Sequence, residues 1–235
     1  MRFTANRKHV IALVAVACSA LVTTLTSQAP RPAAPPPPPE PDLVARLIAA
    51  ANERPKARVR YDGKYMRIPY PGGDVPADTG VCTDEIIRIY RAVGIDLQKE
   101  VHEDMRGNFA AYPRGFGLSR PDPNIDHRRV PNLRVFFARK GTSLRVTQDP
   151  AQFRPGDIVT WDLGRGLTHI GMVVDRRFGE RYGIVHNIGA GPQLEDVLFA
   201  WKITGHYRYA PRASARPGLR PLPLAPAPTA TAAQP

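Results

Sequence analysis

Among 235 residues there are only two cysteines. Cys18 lies in an apolar leader and Cys82 in the body of the chain. That scarcity excludes a disulfide framework and leaves Cys82 without an intramolecular partner once the leader is removed. A long hydrophobic run is also lacking. The stretch Val10–Leu25 is short for a membrane span, which takes about 20 residues. Membrane contact is therefore expected only through an uncleaved N-terminal segment. No Arg/Lys run is interleaved with aromatics, so nucleic acid is not an expected partner. There is no internal repeat, and no His-x-x-x-His pair of the kind that ligates metal on a helix. His102, Glu103, Asp104, Asp126 and His127 are the polar residues that invite a metal. Without ligand spacing they read as solvated helix and loop polarity, and neither metal nor cofactor is expected.

What is present divides the chain. Residues 1–29 carry Arg2, Arg7 and Lys8, then the apolar run, then Ser27-Gln28-Ala29, the layout of a secretory signal. Residues 30–41 are a Pro-rich linker and residues 211–235 a Pro/Ala-rich tail expected to be disordered. More than half of the 26 prolines lie in these two flanks. Residues 42–210 are long enough for one domain with a single sizeable core. The net charge is +12, and the central domain keeps a basic balance. That suits peptidoglycan or another anionic envelope polymer, and the leader implies export to the periplasm or cell envelope.

The apolar spacing within Asp42–Glu53 and Leu97–Ala111 predicts amphipathic helices. A further helix is expected from about Gly80 to Val93, ending at Gly94. On it Cys82, Ile86, Ile89, Tyr90 and Val93 share one face, with Glu85, Arg88 and Arg91 away from it. Residues 112–131 look irregular, with prolines and glycines preventing regular structure. Strands are expected at Ile158–Trp161, His169–Asp175, Gly183–Ile188 and Ile203–Tyr209. Helices first and strands after predict an α+β domain in which N-terminal helices pack on an antiparallel β-sheet.

Cys82 falls in the first turn of its helix, where unpaired N–H groups and the dipole stabilise negative charge. At such a place a thiol pKa can drop from about 8.5 to between about 3.5 and 7.5. A lone thiol in an oxidising compartment is a liability unless buried or useful. A nucleophilic thiol needs a base. His169 opens a strand after a Gly-rich loop, and His186 lies on the next strand. His186 on an adjacent antiparallel strand can orient the His169 ring. Asn187 is the alternative third residue, because neighbours on a strand face opposite sides. Asp84, Asp126, His127 and Arg128 are candidate substrate-binding residues, since Arg forks suit carboxylates.

Gly80-Val81-Cys82-Thr83-Asp84, Pro155-Gly156-Asp157-Ile158-Val159-Thr160-Trp161, His169-Ile170-Gly171-Met172-Val173 and Val185-His186-Asn187 occur in that order. This series resembles the NlpC-type branch of papain-like cysteine peptidases. A closer resemblance is to a bacterial domain-of-unknown-function family, number twelve eighty-seven. It is carried by Gly94–Gln98, Val101–Met105, Asn124–Asn132 and Ile203–Tyr209. The resemblance covers about Val75 to Tyr209. Thr83-Asp84 stands where Ser-Gly commonly follows the cysteine, and the His169–His186 spacing is longer than usual. The resemblance implies a papain-like NlpC-type fold and a cysteine peptidase or amidase acting on cell-wall peptides. In it Cys82 is the nucleophile, His169 the base and His186 the orienting group. The alternatives are an acyltransferase using the same thioester and a non-catalytic wall-binding module of the same fold.

Overall fold

The computed structural model of the chain describes residues 42–115, 117 and 119–211. The expected signal segment, the Pro-rich linker and all of the tail after Pro211 lie outside the described residues. Among the described residues no helix is long and apolar enough to cross a membrane.

Helix α1 spans Leu43–Glu53 and starts where Asp42 accepts the Ala45 N–H at 2.7 Å. The two-residue strands β1 (Arg60–Tyr61) and β2 (Thr79–Gly80) pair in parallel and lead into α2, Cys82–Ala92. Helix α2 ends at Gly94, whose φ of +88° turns the chain while Ile95 N–H bonds back to the Tyr90 carbonyl. Helix α3 is Leu97–Asn108, capped by Asp96, and α4 is Val130–Lys140. Six strands follow: β3 (Thr142–Ser143), β4 (Ile158–Asp162), β5 (Thr168–Phe178), β6 (Arg181–Asn187), β7 (Pro192–Glu195) and β8 (Lys202–Arg208). They form one antiparallel sheet in the order β3-β8-β4-β5-β6-β7. The fold is therefore α+β, helices first and an antiparallel sheet after.

The central strands are apolar on both faces. Ile158, Ile170, Met172, Val174 and Val185 join the helical core with Ile86, Ile89, Tyr90, Leu133 and Phe137. Val159, Trp161, Val173 and Ile184 build a second core with Phe153, Leu198 and Ile203.

Two expectations need correction. Residues 112–131 are not irregular throughout: a 3-10 turn forms at Asp126–Arg128, and Pro131 sits in the first turn of α4. There its missing N–H has no helical partner to lose. Helix α2 has no solvent-exposed polar face along most of its length, since Glu85 is fully buried and Arg88 nearly so. Arg54 meets Glu85 at 2.7 Å, while Arg88 and Arg91 hold Asp74 at 3.0 and 2.7 Å. The 54–56 turn and the 73–79 segment thus cover the face that periodicity assigns to solvent. Strand β7 and helix α4 were also not read as regular elements from the sequence.

Candidate active site

Cys82 is the first residue of α2, and its N-cap, Val81, has no side chain able to accept a hydrogen bond. The backbone N–H groups of Ile170 on β5 and of Thr83 and Cys82 in the first turn instead favour the thiol's anion. Cys82 is a free cysteine, 4% exposed. Burial pushes its thiol up to about 12, and Asp84 adds to that, against the pull of those three N–H groups. The lowering expected at a helix start is thus overturned, because desolvation of the anion outweighs the N–H groups.

Tyr61, which sequence reasoning missed, lies close enough to the Cys82 side chain for each to act on the other's proton. Burial, then the proximity of Cys82, raises the Tyr61 phenol to about 12. Only the pairing of Tyr61 with Gly80 across β1 and β2 brings it there.

His169 immediately precedes Ile170 on β5, and neighbouring side chains on a strand face opposite ways. No hydrogen bond between Cys82 and His169 is among those made by the described residues. The His169 ring makes a firm contact on its other side: its Nε2 lies 2.8 Å from His186 Nδ1. His186 Nε2 in turn lies 2.9 Å from Glu195 Oε2 on β7. A carboxylate only accepts, so His186 donates from Nε2, its Nδ1 accepts, and His169 donates from Nε2. His169 Nδ1 is left as the ring nitrogen with a free lone pair. Burial lowers His169 to about 3 and also lowers His186, partly offset by Glu195. Both rings are neutral near pH 7.

Gly171 makes this row fit. It pairs with His186 across β5 and β6, and a Cβ there would sit 2.6 Å from Ile184 Cγ2 and 3.1 Å from His186 Cβ. Trp161 and Trp201 pack on the row, their rings 5.7 and 5.8 Å from that of His169. Asn187, the alternative third residue, points elsewhere and accepts the Gly189 N–H at 3.1 Å.

The other candidate residues are placed as follows. Asp84 and Arg128 form a buried two-point ion pair at 2.8 and 2.9 Å. Asp84 also accepts the Val81 N–H at 2.7 Å, and Arg128 reaches the Lys64 and Asp62 carbonyls. These contacts bind the α2 start to the 62–64 segment. Asp126 and His127 are buried too. Burial raises Asp126 to about 6 and lowers His127 to about 3. Asp126 Oδ2 accepts the Asp122 N–H at 2.5 Å. Asp104 is held by Tyr112, Arg139 and Lys140, and Glu103 by Lys99. Among the described residues no three His, Cys, Asp or Glu side chains are grouped as metal ligands.

The Pro-Gly-Asp motif has a structural explanation. Asp157 is fully buried and accepts from His206 at 2.8 Å, Arg208 at 2.8 and 3.0 Å and the Arg154 N–H at 2.9 Å. It ties β4 to β8.

Residues 48–209 match the family described as Domain of unknown function (DUF1287). The chain belongs to this family. The matched span contains Tyr61, Cys82, His169, His186 and Glu195. The Escherichia coli (strain K12) protein named "Uncharacterized protein YijF" is 54% identical over 151 residues, covering 63% of this chain and 73% of its own.

Proposed function

We propose that this protein is an exported, NlpC-type papain-like cysteine hydrolase of the cell envelope that cleaves an amide bond in cell-wall peptide. The observation that supports it is a buried thiol at the start of α2, influenced by the Ile170 N–H of β5, with a His–His–Glu row beginning at the neighbouring residue His169. In the resting site thiol and imidazole are both neutral. With substrate bound, the Cys82 S–H proton passes to His169 Nδ1 as sulfur bonds to the carbonyl carbon. Catalytic hydrogen bonds of this kind commonly close only in the complex. N–H groups at the α2 start hold the oxyanion, and the Tyr61 O–H supports the sulfur as charge develops. The C–N bond then breaks, and the amine leaves with the proton from His169. Water attacks the thioester, giving its proton to His169, and the acid departs as the S–H re-forms.

Cys82→Ala in the full chain is expected to abolish release of soluble fragments from purified peptidoglycan, with circular dichroism unchanged. Full release by that variant would overturn the proposal. Products carrying a new amine or ester in place of a free acid would make the protein an acyltransferase. Binding without turnover by the parent chain would make it a wall-binding module.

A further inference from the structure

The 58–66 segment is extended, and alternate residues along it face opposite ways. On one side Tyr61 touches Cys82, a Cβ at Gly63 would face Val81, and the Tyr65 O–H bonds Asp122 at 3.0 Å. On the other side Arg60, Asp62, Lys64 and Met66 line a cavity of about 290 Å³, together with Asp78. A second cavity, of about 590 Å³, is lined by Arg58, Arg60, Asp78 and, from β7, Pro192 and Gln193. Arg60 and Asp78 line both, so the two cavities are neighbours along one surface. The result is a trough running from Met66 past the back of Tyr61 to β7, the strand that carries Glu195. It thus passes both ends of the proposed active site.

The trough is rigid. Arg128 holds the Asp62 and Lys64 carbonyls, and Asn124 accepts the Ile68 N–H at 3.0 Å. Its charges are exposed. Among the described residues the side chains of Arg58 and Lys64 make no hydrogen bond or ion pair, and neither does that of Asp78. Arg60 is engaged only by the nearby Asp62, at 3.0 Å. A surface ion pair of this kind is worth little and yields easily to a competing carboxylate.

We infer that this trough is the substrate-strand site, taking an extended peptide whose free carboxylates meet Arg58, Arg60 and Lys64 and whose free amine meets Asp78. The inference rests on the cell-wall peptide being the ligand and names the surface that selects it. Arginine forks and lysine ammonium groups bind carboxylates by charge-assisted hydrogen bonds, and an extended trough matches an extended chain. A lipid surface fits less well, because Asp62 and Asp78 line the same floor and would repel anionic headgroups.

The test is co-sedimentation of the full chain carrying Cys82→Ala with purified sacculi, so that the ligand stays intact. Adding Arg58→Glu and Lys64→Glu is expected to weaken binding by about tenfold or more, as loss of charge-assisted contacts implies. The parent is expected to lose the same affinity on sacculi whose carboxyl groups have been amidated. Thermal melting of the double variant checks its fold. Unchanged binding by that variant, or equal binding to amidated sacculi, would overturn the site. Equal or tighter binding to phosphatidylglycerol vesicles with the same charge dependence would overturn it in favour of a lipid surface. The two proposals fail separately. Charge-dependent binding by a chain that hydrolyses nothing sinks the hydrolase and leaves the trough. Hydrolysis indifferent to Arg58→Glu and Lys64→Glu does the reverse.

Discussion

Glu195 sits half-exposed at the end of the row His169–His186–Glu195, with a side-chain exposure of 46%. In the proposed mechanism it selects a tautomer, so its loss should affect the proton-transfer step more than binding. Glu195→Ala is expected to lower kcat by about tenfold at constant KM, a fraction of the roughly 10²–10⁴ that a general base contributes. Glu195→Gln keeps an acceptor and should restore most of the rate. Nitrogen-15 spectra should show His169 protonated on Nε2 in the parent and a tautomer mixture in Glu195→Ala. An unmixed spectrum in that variant would remove Glu195 from the row. Tyr61→Phe removes the phenol that lies near the sulfur and should cost about two- to tenfold in kcat/KM. The neutral resting pair has its own signature. With His169 held at about 3 and Cys82 at about 12, alkylation by iodoacetamide at pH 7 should be slow and should rise only above about pH 9. A rate already saturated below pH 8 would mean a resting thiolate. At this scale Cys82, His169 and His186 were legible because residue type, order and solitude mark them. Glu195 and Tyr61 were not. An exposed Glu on a four-residue strand and a Tyr on a two-residue strand carry no local sign of their partners.

At the scale of elements, the start of α2 depends on the Asp84–Arg128 pair, both side chains of which are nearly inaccessible. Removing one partner of a buried pair typically costs about 3–5 kcal/mol, because the other charge is left desolvated. Arg128→Met should therefore lower the urea midpoint steeply. Lys99→Ala, which breaks the exposed i,i+4 pair with Glu103, should change stability by less than about 0.5 kcal/mol. Equal effects from the two variants would contradict the clamp. Gly171→Ala is expected to displace His186, whose Cβ would lie 3.1 Å from the new methyl, and so to reduce turnover more than it reduces helix content. The helices α1 to α3 and the main strands were legible from period and punctuation. The surroundings of α2 were not, since periodicity marks a polar face as outward and gives no notice of a segment folded over it. Pro131 misled for a related reason: a proline that breaks a helix interior is favoured in a first turn.

The whole molecule couples its stability to pH through buried histidines. His127 and His169 titrate at about 3 when folded, and His186 is lowered too. In the unfolded chain they titrate near about 6.5. Between these values the unfolded state binds more protons, so stability falls as pH falls through that window. Asp126, raised to about 6 from 3.8, acts oppositely between those two values, one carboxyl against three imidazoles. The net expectation is a melting temperature that drops from pH 7 to pH 4, with a shallower drop in His127→Asn. A melting temperature that rises on acidification would contradict the neutral burial of these rings.

The amino-acid sequence by itself determined the α+β order, the isolation of Cys82 and the sequence of Cys, His and His along the chain. These follow from composition and from backbone periods of 3.6 and 2, which are local properties. Tertiary structure alone decided which histidine nitrogen is free, that Glu195 joins the row and Tyr61 lies near the thiol, and that burial raises the thiol. Those outcomes depend on desolvation and on hydrogen bonds between residues far apart in the chain, and neither is encoded in any single window of sequence.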